Sequence, residues 1–332
     1  MNKKGRVVIT GATGLVGSNL VLHLLEEGYD DISIVARNKN KVDALFATIP
    51  DDKSRNIKVY YASLFDIPSL IDIFKNADFL FNCAAIVDFG KCDIQQLIGD
   101  NVRMTHCVAE AALEAKVRRM LHISSIATLT PPLYPAKTTE SSIMTTLYNR
   151  SPYSKSKFYS EGEVWRVAEK GLEVVIINPA VIIGKGDWNN GTAQFFKIID
   201  RCPFFYTCGI MGYVSAKDVA RFSIALALRE EAVGQRFILC SDNLPYKELI
   251  SYIRHSLSKN SIFVKIPSSL IKALLKLPSF FQVPQDILTN LIDKSLYDGS
   301  KAEQVAGIKY TSIATEIDKI GDAFKNRNKH IK

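Results

Sequence analysis

The chain reads as an α/β protein with a doubly wound parallel sheet and a smaller C-terminal unit, and two observations predict this. The first is the stretch RVVITGATGLVGSNL at residues 6–20. Val7, Val8 and Ile9 form an apolar, β-branched run of the kind expected in a strand buried on both faces. Gly11, Gly14 and Gly17 follow at intervals of three, and Leu15, Val16, Leu20, Val21, Leu24 and Leu25 recur with helical spacing until Gly28. The second is alternation: strand-like runs at Ile32–Ala36, Ile57–Tyr61, Phe79–Asn82, 120–123 and 174–177 are separated by helical patterns at 68–75, 102–116 and 153–170. Strands alternating with helices imply right-handed crossovers and a parallel sheet covered on both faces.

Composition agrees with this reading. At 332 residues the chain is longer than one typical domain, and its 47% hydrophobic and 23% charged residues are ordinary for a globular protein and unlike a disordered one. The N-terminus, MNKKGRVVIT, enters the first strand without an apolar signal region, so a cytoplasmic protein is expected. The most membrane-like stretch, 262–281, is interrupted by Lys265, Pro267, Lys272, Lys276 and Pro278, and no membrane partner is expected. The cysteines Cys83, Cys92, Cys107, Cys202, Cys208 and Cys240 form no CxxC pair and no zinc-like spacing with histidine. They read as reduced thiols, and no metal site is expected. The net charge of +8 is spread along the chain apart from a short tail at 325–332, which suits an anionic cofactor rather than nucleic acid.

Each element then has a use. The first turn of a helix presents unpaired N–H groups and the positive end of its dipole, which together attract phosphate. Gly11 allows the tight turn, Gly14 leaves room for a pyrophosphate, and Gly17 lets the helix pack against the strand. Behind the second strand come Ala36 and then Arg37, Asn38, Lys39 and Lys41. An acid at this junction serves the adenosine ribose of NAD, whereas an arginine accommodates the 2′-phosphate of NADP. Arg37, 20 residues beyond Gly17 and with no acid at Ala36, therefore points to NADP(H) before NAD(H). After Asn82, the small residues Cys83, Ala84 and Ala85 either let a nucleotide pass or simply pack. The strand at 120–123 runs into Ser124 and Ser125, and 127–152 reads as a long loop on the ligand side. Pro152 opens a helix in which Tyr153 and Lys157, four apart, share one face.

The TGxxGxxG turn, the serine at the strand end and the YxxxK pair together resemble the extended branch of the short-chain dehydrogenase/reductase superfamily, the NAD-dependent epimerase/dehydratase family. Asn178 to Gly184 (NPAVIIG), 213–220 (YVSAKDVA) and 298–301 resemble its later landmarks, and the nearest look is to the dihydroflavonol reductase and 3β-hydroxysteroid dehydrogenase type. The resemblance implies a Rossmann-type dinucleotide-binding domain over 1–182 with about 212–242, and a substrate-binding domain over about 183–211 with 243–332. It implies an NADP(H)-dependent oxidoreductase that interconverts a ketone or aldehyde and an alcohol on a small, partly apolar substrate. Tyr153 would be the general acid/base, and a nearby cation suits it because an unperturbed tyrosine near pKa 10 is a poor proton carrier at neutral pH. Lys157 would favour the tyrosinate and hold the nicotinamide ribose, and Ser125 would support the charge developing on the carbonyl oxygen.

Ser124 competes for that last role. Ser125 is preferred because the family's serine usually precedes a small or apolar pair, here Ile126 and Ala127. The cofactor contacts that the resemblance carries over are Gly11, Thr13, Gly14, Leu15, Val16, Gly17, Arg37, Leu64, Ala84, Ala85, Asn101, Tyr153, Lys157, Pro179, Ala180 and Ile182. The family's Gly-Asp-Leu run is replaced by Ala62, Ser63 and Leu64, which leaves Leu64 to act through its backbone. Asn101 matches the asparagine that opens the family's central helix, where it serves the site or caps the helix. Trp188, Phe195, Phe196, Phe204, Phe205 and Tyr206 read as the wall of an apolar substrate pocket or as core. A homodimer through the helices at 102–116 and 153–170 is a further implied partnership.

Two other functions compete on the same fold. Nucleotide-sugar dehydratases follow the active-site serine or threonine with an Asp-Glu pair, which Ile126 and Ala127 replace here, and epimerases usually keep NAD and an acid where Arg37 stands. A non-catalytic NADP sensor commonly loses the tyrosine, whereas Ser125, Tyr153 and Lys157 are all present.

Overall fold

A computed structural model describes residues 5–54, 57–86, 94–148, 150–186, 188, 191–201, 205–259, 264–275 and 291–329. Cys92, Cys202, Phe204, residues 262, 263 and 276–281 of the apolar stretch and the last residues of the basic tail lie outside the described residues. In chain order the elements are β1 Val7–Thr10, α1 Leu15–Glu26, β2 Ile32–Ala36, α2 Lys39–Phe46, α3 Asp51–Ser54, β3 Ile57–Tyr61, α4 Ile67–Phe74, β4 Phe79–Asn82, α5 Ile94–Glu114, β5 Arg119–Ile123, β6 Lys137–Thr138, α6 Pro152–Glu169, β7 Glu173–Pro179 and β8 Val181–Ile183. There follow α7 Gln194–Arg201, β9 Phe205–Tyr206, β10 Ile210–Ser215, α8 Ala216–Ala227, β11 Gln235–Leu239, β12 Asp242–Pro245, α9 Tyr246–Ser256, β13 Val264–Lys265, α10 Ser268–Leu275, β14 Leu296–Tyr297, α11 Ser300–Ala306 and α12 Ile313–Lys329.

Seven strands form one parallel sheet in the order β3-β2-β1-β4-β5-β7-β11. The winding reverses between β1 and β4, and the crevice beyond the C-terminal ends of these strands is where open α/β sheets take ligands. Helices cover both faces, which is why β1, β2, β4 and β5 are buried at every residue. Side-chain alternation divides the core in two. Val7 and Ile9 join Leu20, Val21 and Leu24 of α1 and Val219 and Phe222 of α8. Val8, Leu80, Met120 and Ile176 join Leu70 and Phe74 of α4, Val108 and Ala112 of α5, and Val164 and Val167 of α6. Fully burying one such side chain contributes about 1.5–3 kcal/mol, so packing on the sheet, more than intrinsic propensity, holds these helices.

A second sheet of three strands has β10 between β8, parallel, and β12, antiparallel. Two further parallel pairs, β9 with β13 and β6 with β14, are two residues long. The C-terminal segment is fastened by charge-assisted bonds: Thr311 N–H donates to buried Asp218 at 2.7 Å and Ile313 N–H to Asp242 at 2.9 Å.

Two expectations change. The central helix starts at Ile94 rather than near 102. Gly99, Asp100 and Asn101 are weak helix formers, but Leu97 and Asn101 are buried and packing overrides propensity. The stretch 127–152 is also more ordered than a plain loop, with a 3-10 turn at Ile126–Thr128, strand β6 and an antiparallel bridge between Leu129 and Ile143. No described helix is long and apolar enough to cross a membrane. Among the described residues, no group of three or more His, Cys, Asp or Glu side chains could hold a metal ion.

Candidate active site

The glycine turn is held by close backbone packing. Gly11 adopts φ +70°, and a Cβ on it would meet the backbone of Cys83 and Ala84 at 2.6–2.8 Å, so this position excludes any side chain. A Cβ on Gly17 would meet the Gly11 carbonyl oxygen at 2.3 Å and Ala12 Cα at 2.7 Å. Gly17 therefore brings α1 against the turn itself rather than against the strand. Gly14 is exposed and forms the N-cap of α1, which has neither a side-chain cap nor an acid in its first turn. By contrast α2, α4, α6 and α8 are capped by Asn38, Asp66, Ser151 and Ser215. The cradle at Gly11–Gly17 and the uncapped α1 terminus thus fit a dinucleotide pyrophosphate.

Around this turn, Thr13, Leu15 and Val16 are half-buried and Arg37 is exposed at the end of β2. The Leu64 side chain is buried among the α4 packing, which leaves its backbone for any contact. Pro179 and Ala180 are buried at the end of β7, and Ile182 is half-buried in β8. Asn101 departs from expectation, since it neither opens nor caps a helix. It lies inside α5, 5% exposed, accepting from Ile86 N–H at 2.7 Å and donating to the Ile86 carbonyl at 2.9 Å, so it clamps the segment beyond Ala84 and Ala85.

β5 ends in two serines that face different ways. Ser124 is buried, its N–H continues the ladder to the Ile177 carbonyl at 2.7 Å, and its hydroxyl donates to Glu161 at 2.6 Å. Ser125 is half-buried, accepts from Ala127 N–H at 3.1 Å and lies close enough to act on the Tyr153 phenol. Ser151 caps α6 and Pro152 occupies its first turn, which sets Tyr153 at the helix entrance. Burial raises the Tyr153 phenol and the neighbouring Ser125 hydroxyl pulls it back. Lys157, one turn on, is 7% exposed and donates to the Ile123 carbonyl at 2.9 Å. Burial pushes its amine down to about 8, opposed by Cys83 and Glu161. Cys83 thereby bears on both halves of the site, its backbone packing against Gly11 and its buried thiol lying within the field of Lys157. Burial drives that thiol up to about 12, so it is inert.

Beneath Lys157 runs a buried polar row that sequence reasoning missed. Thr10, Asn82 and His122 stand side by side on β1, β4 and β5. The Thr10 hydroxyl donates to Asn82 Oδ1 at 2.6 Å, and Asn82 Nδ2 lies 3.1 Å from His122 Nδ1. Burial, then the charge of Lys157, hold the imidazole well below its usual range. The row continues through Ser124 to Asn178 and Glu161, all buried. Glu161 was detectable as the residue four beyond Lys157 on the same helix face. Two of the aromatic residues join the core: Phe196 is buried, and Trp188 packs edge-on against it at 6.1 Å and against Phe324 at 5.0 Å, between α7 and α12. Phe205 is exposed.

The chain is 26% identical over 96% of its length to a Synechocystis sp. protein to which dihydroflavonol 4-reductase activity is provisionally ascribed, covering 94% of that protein. It is 29% identical to cinnamoyl-CoA reductase 1 of Petunia hybrida, over 73% of this chain and 74% of that one. In fold it matches yeast methylglyoxal/isovaleraldehyde reductase Gre2 complexed with NADPH, with a TM-score of 0.75 at 18% identity over 97% of this chain and 99% of the other. The family model described as NAD dependent epimerase/dehydratase matches residues 7–239, a span that holds the glycine turn, Ser125, Tyr153 and Lys157, and the chain belongs to that family.

Proposed function

We propose that the protein is an NADP(H)-dependent oxidoreductase interconverting a ketone or aldehyde and an alcohol on a small, partly apolar substrate. The observation that carries this reading is that Ser125, close enough to act on the Tyr153 phenol, and Lys157, one turn along α6, converge beside the uncapped glycine turn against which Cys83 packs. When bound, the dinucleotide supplies a hydride to the carbonyl carbon or accepts one from the alcohol. The rest is done by the chain. Ser125 Oγ holds the substrate oxygen, and the Tyr153 phenol, kept protonated at neutral pH by burial, delivers the proton that reduction requires. Lys157 provides the fixed positive charge and the donor for the nicotinamide ribose. Arg37 at the β2 end would meet the 2′-phosphate. The substrate would lie between the dinucleotide-binding domain, 1–182 with about 212–242, and the smaller domain, about 183–211 with 243–332.

Two findings favour reduction over sugar chemistry. The two relatives named above bear reductase names, and Ile126, where a dehydratase would place an acid, is buried in the core. The test is a panel of ketones and aldehydes followed by NADPH absorbance, with UDP- and dTDP-sugars alongside. A carbonyl should be turned over and the sugars left unchanged. Tyr153→Phe should then cut reduction by about a hundredfold or more while NADPH affinity stays within about a few fold. Sugar turnover, or a Tyr153→Phe variant at the wild-type rate, overturns the reading.

A further inference from the structure

We propose that Glu161 is a positioning residue for this site: from behind β5 and β7 its carboxylate fixes the backbone of Ser125 and sets the electrostatic field at Lys157. The inference rests on the reading of Ser125, Tyr153 and Lys157 as the reacting group. Glu161 is 3% exposed and meets five partners, all donors. Ser124 Oγ at 2.6 Å, Asn178 Nδ2 at 3.0 Å and Thr128 Oγ1 at 3.1 Å lie on one oxygen. Arg236 Nη2 at 2.8 Å and Trp165 Nε1 at 3.3 Å lie on the other. Only an ionised carboxylate, which accepts at every lone pair, suits this set.

Two of these partners also reach the Ser125 carbonyl oxygen, Thr128 Oγ1 at 2.9 Å and Asn178 Nδ2 at 3.0 Å, and they lie 3.0 Å from each other. Thr128 has one hydroxyl proton and Asn178 two amide protons, so three hydrogens are divided among the Ser125 carbonyl, Glu161 and Thr128 Oγ1, and the carboxylate bears on which of them Ser125 receives. Removing the carboxylate forces both donors to reorient, and Ser125 loses its fixed place. Stability alone does not explain the arrangement, because a buried ion pair is generally no more stabilising than apolar residues of the same volume. The pair with Arg236 uses one oxygen, and the other is turned toward the strand that carries the serine.

The second effect runs along α6. Glu161 lies one turn beyond Lys157 on the same face and supports its charge against burial. The other titratable groups that interact with that amine are Cys83 beyond β4 and His122 on β5, while Tyr153 shares its face of α6 one turn earlier. Glu161 is the acid among the groups that act on the amine.

The experiment compares Glu161→Gln, Thr128→Val and Thr128→Ser with the wild type in two assays across pH. One is kcat with the carbonyl found by the panel, and the other is NADPH affinity by fluorescence titration. Glu161→Gln should lower kcat about tenfold or more, the equivalent of one lost hydrogen bond to a charged group. It should also move the alkaline fall of both kcat and NADPH affinity to lower pH by about half a unit or more. Thr128 is buried, so it cannot touch substrate. Thr128→Val should lower kcat several fold without moving the alkaline fall, and Thr128→Ser should restore it. A lower melting temperature with kcat and the alkaline fall unchanged means a merely structural role and overturns the proposal. If Glu161→Gln does not fold, Thr128→Val at the wild-type kcat overturns it instead. A wild type that reduces no carbonyl defeats the oxidoreductase reading, and the pH dependence of NADPH affinity in Glu161→Gln then decides the proposal separately.

Discussion

The buried Lys157 amine costs the fold stability, and Lys157→Met exposes that cost. The amine sits at about 8 where a free lysine has 10.5, chiefly because it is buried. The difference of about 2.5, at about 1.36 kcal/mol for each pKa unit, makes the buried charge a folding penalty of about 3 kcal/mol at neutral pH. Methionine matches the length of the stem and removes the charge, but it loses the bond to the Ile123 carbonyl, a loss of about 1 kcal/mol. The ligand-free variant should therefore be about 2 kcal/mol more stable than the wild type at pH 7. The sign reverses with pH. Between about 8 and 10.5 the unfolded wild-type chain binds a proton that the native chain does not, so wild-type stability rises across that window relative to the variant. Above it the variant should be the less stable by about 1 kcal/mol, the value of the missing bond. Urea denaturation of both proteins at about pH 7 and about pH 10 measures the two differences. A variant no more stable than the wild type at pH 7, or an advantage that does not shrink by pH 10, refutes the reasoning. The gain in stability should come with weaker NADPH binding, as expected where function keeps a destabilised group in place.

Arg37→Ala tests the cofactor choice: the wild type should bind NADPH at least about tenfold more tightly than NADH, about 1.4 kcal/mol, and the variant should lose most of that difference in fluorescence titrations. Equal wild-type affinities would remove the basis for NADP. Gly17→Ala drives a Cβ into the backbone of Gly11 and Ala12, which cannot move aside, and should cost about 1–3 kcal/mol in urea denaturation together with dinucleotide affinity. Gly162→Ala is its control, since it lies in α6 with open space around it and should gain about 0.5–1 kcal/mol. A Gly17→Ala variant that binds NADPH as the wild type does would show that the turn has another use.

What was legible in the sequence is what neighbouring residues settle among themselves. Strands β3 and β4 fall at the residues their apolar runs mark, because pleat and burial act over a few positions. The glycine turn is equally local, since the φ of Gly11 and the approach of Gly17 follow from backbone sterics within one turn. Tyr153 and Lys157 share a face because helical geometry requires it. The tertiary structure decided matters that depend on partners distant in the chain. Ser124 and Ser125 are chemically alike, and what separates them is that the hydroxyl of Ser124 meets Glu161, 37 residues later on a helix packed over the sheet. Asn101 matches by resemblance the asparagine that opens a central helix, yet burial against Ile86, 15 residues earlier, makes it a clamp inside α5. Trp188 and Phe196 became core through Phe324, whose place on α12 no local pattern reveals. That one donor of Lys157 goes to the Ile123 carbonyl was likewise decided by tertiary structure, because strand packing brings that acceptor to a buried amine.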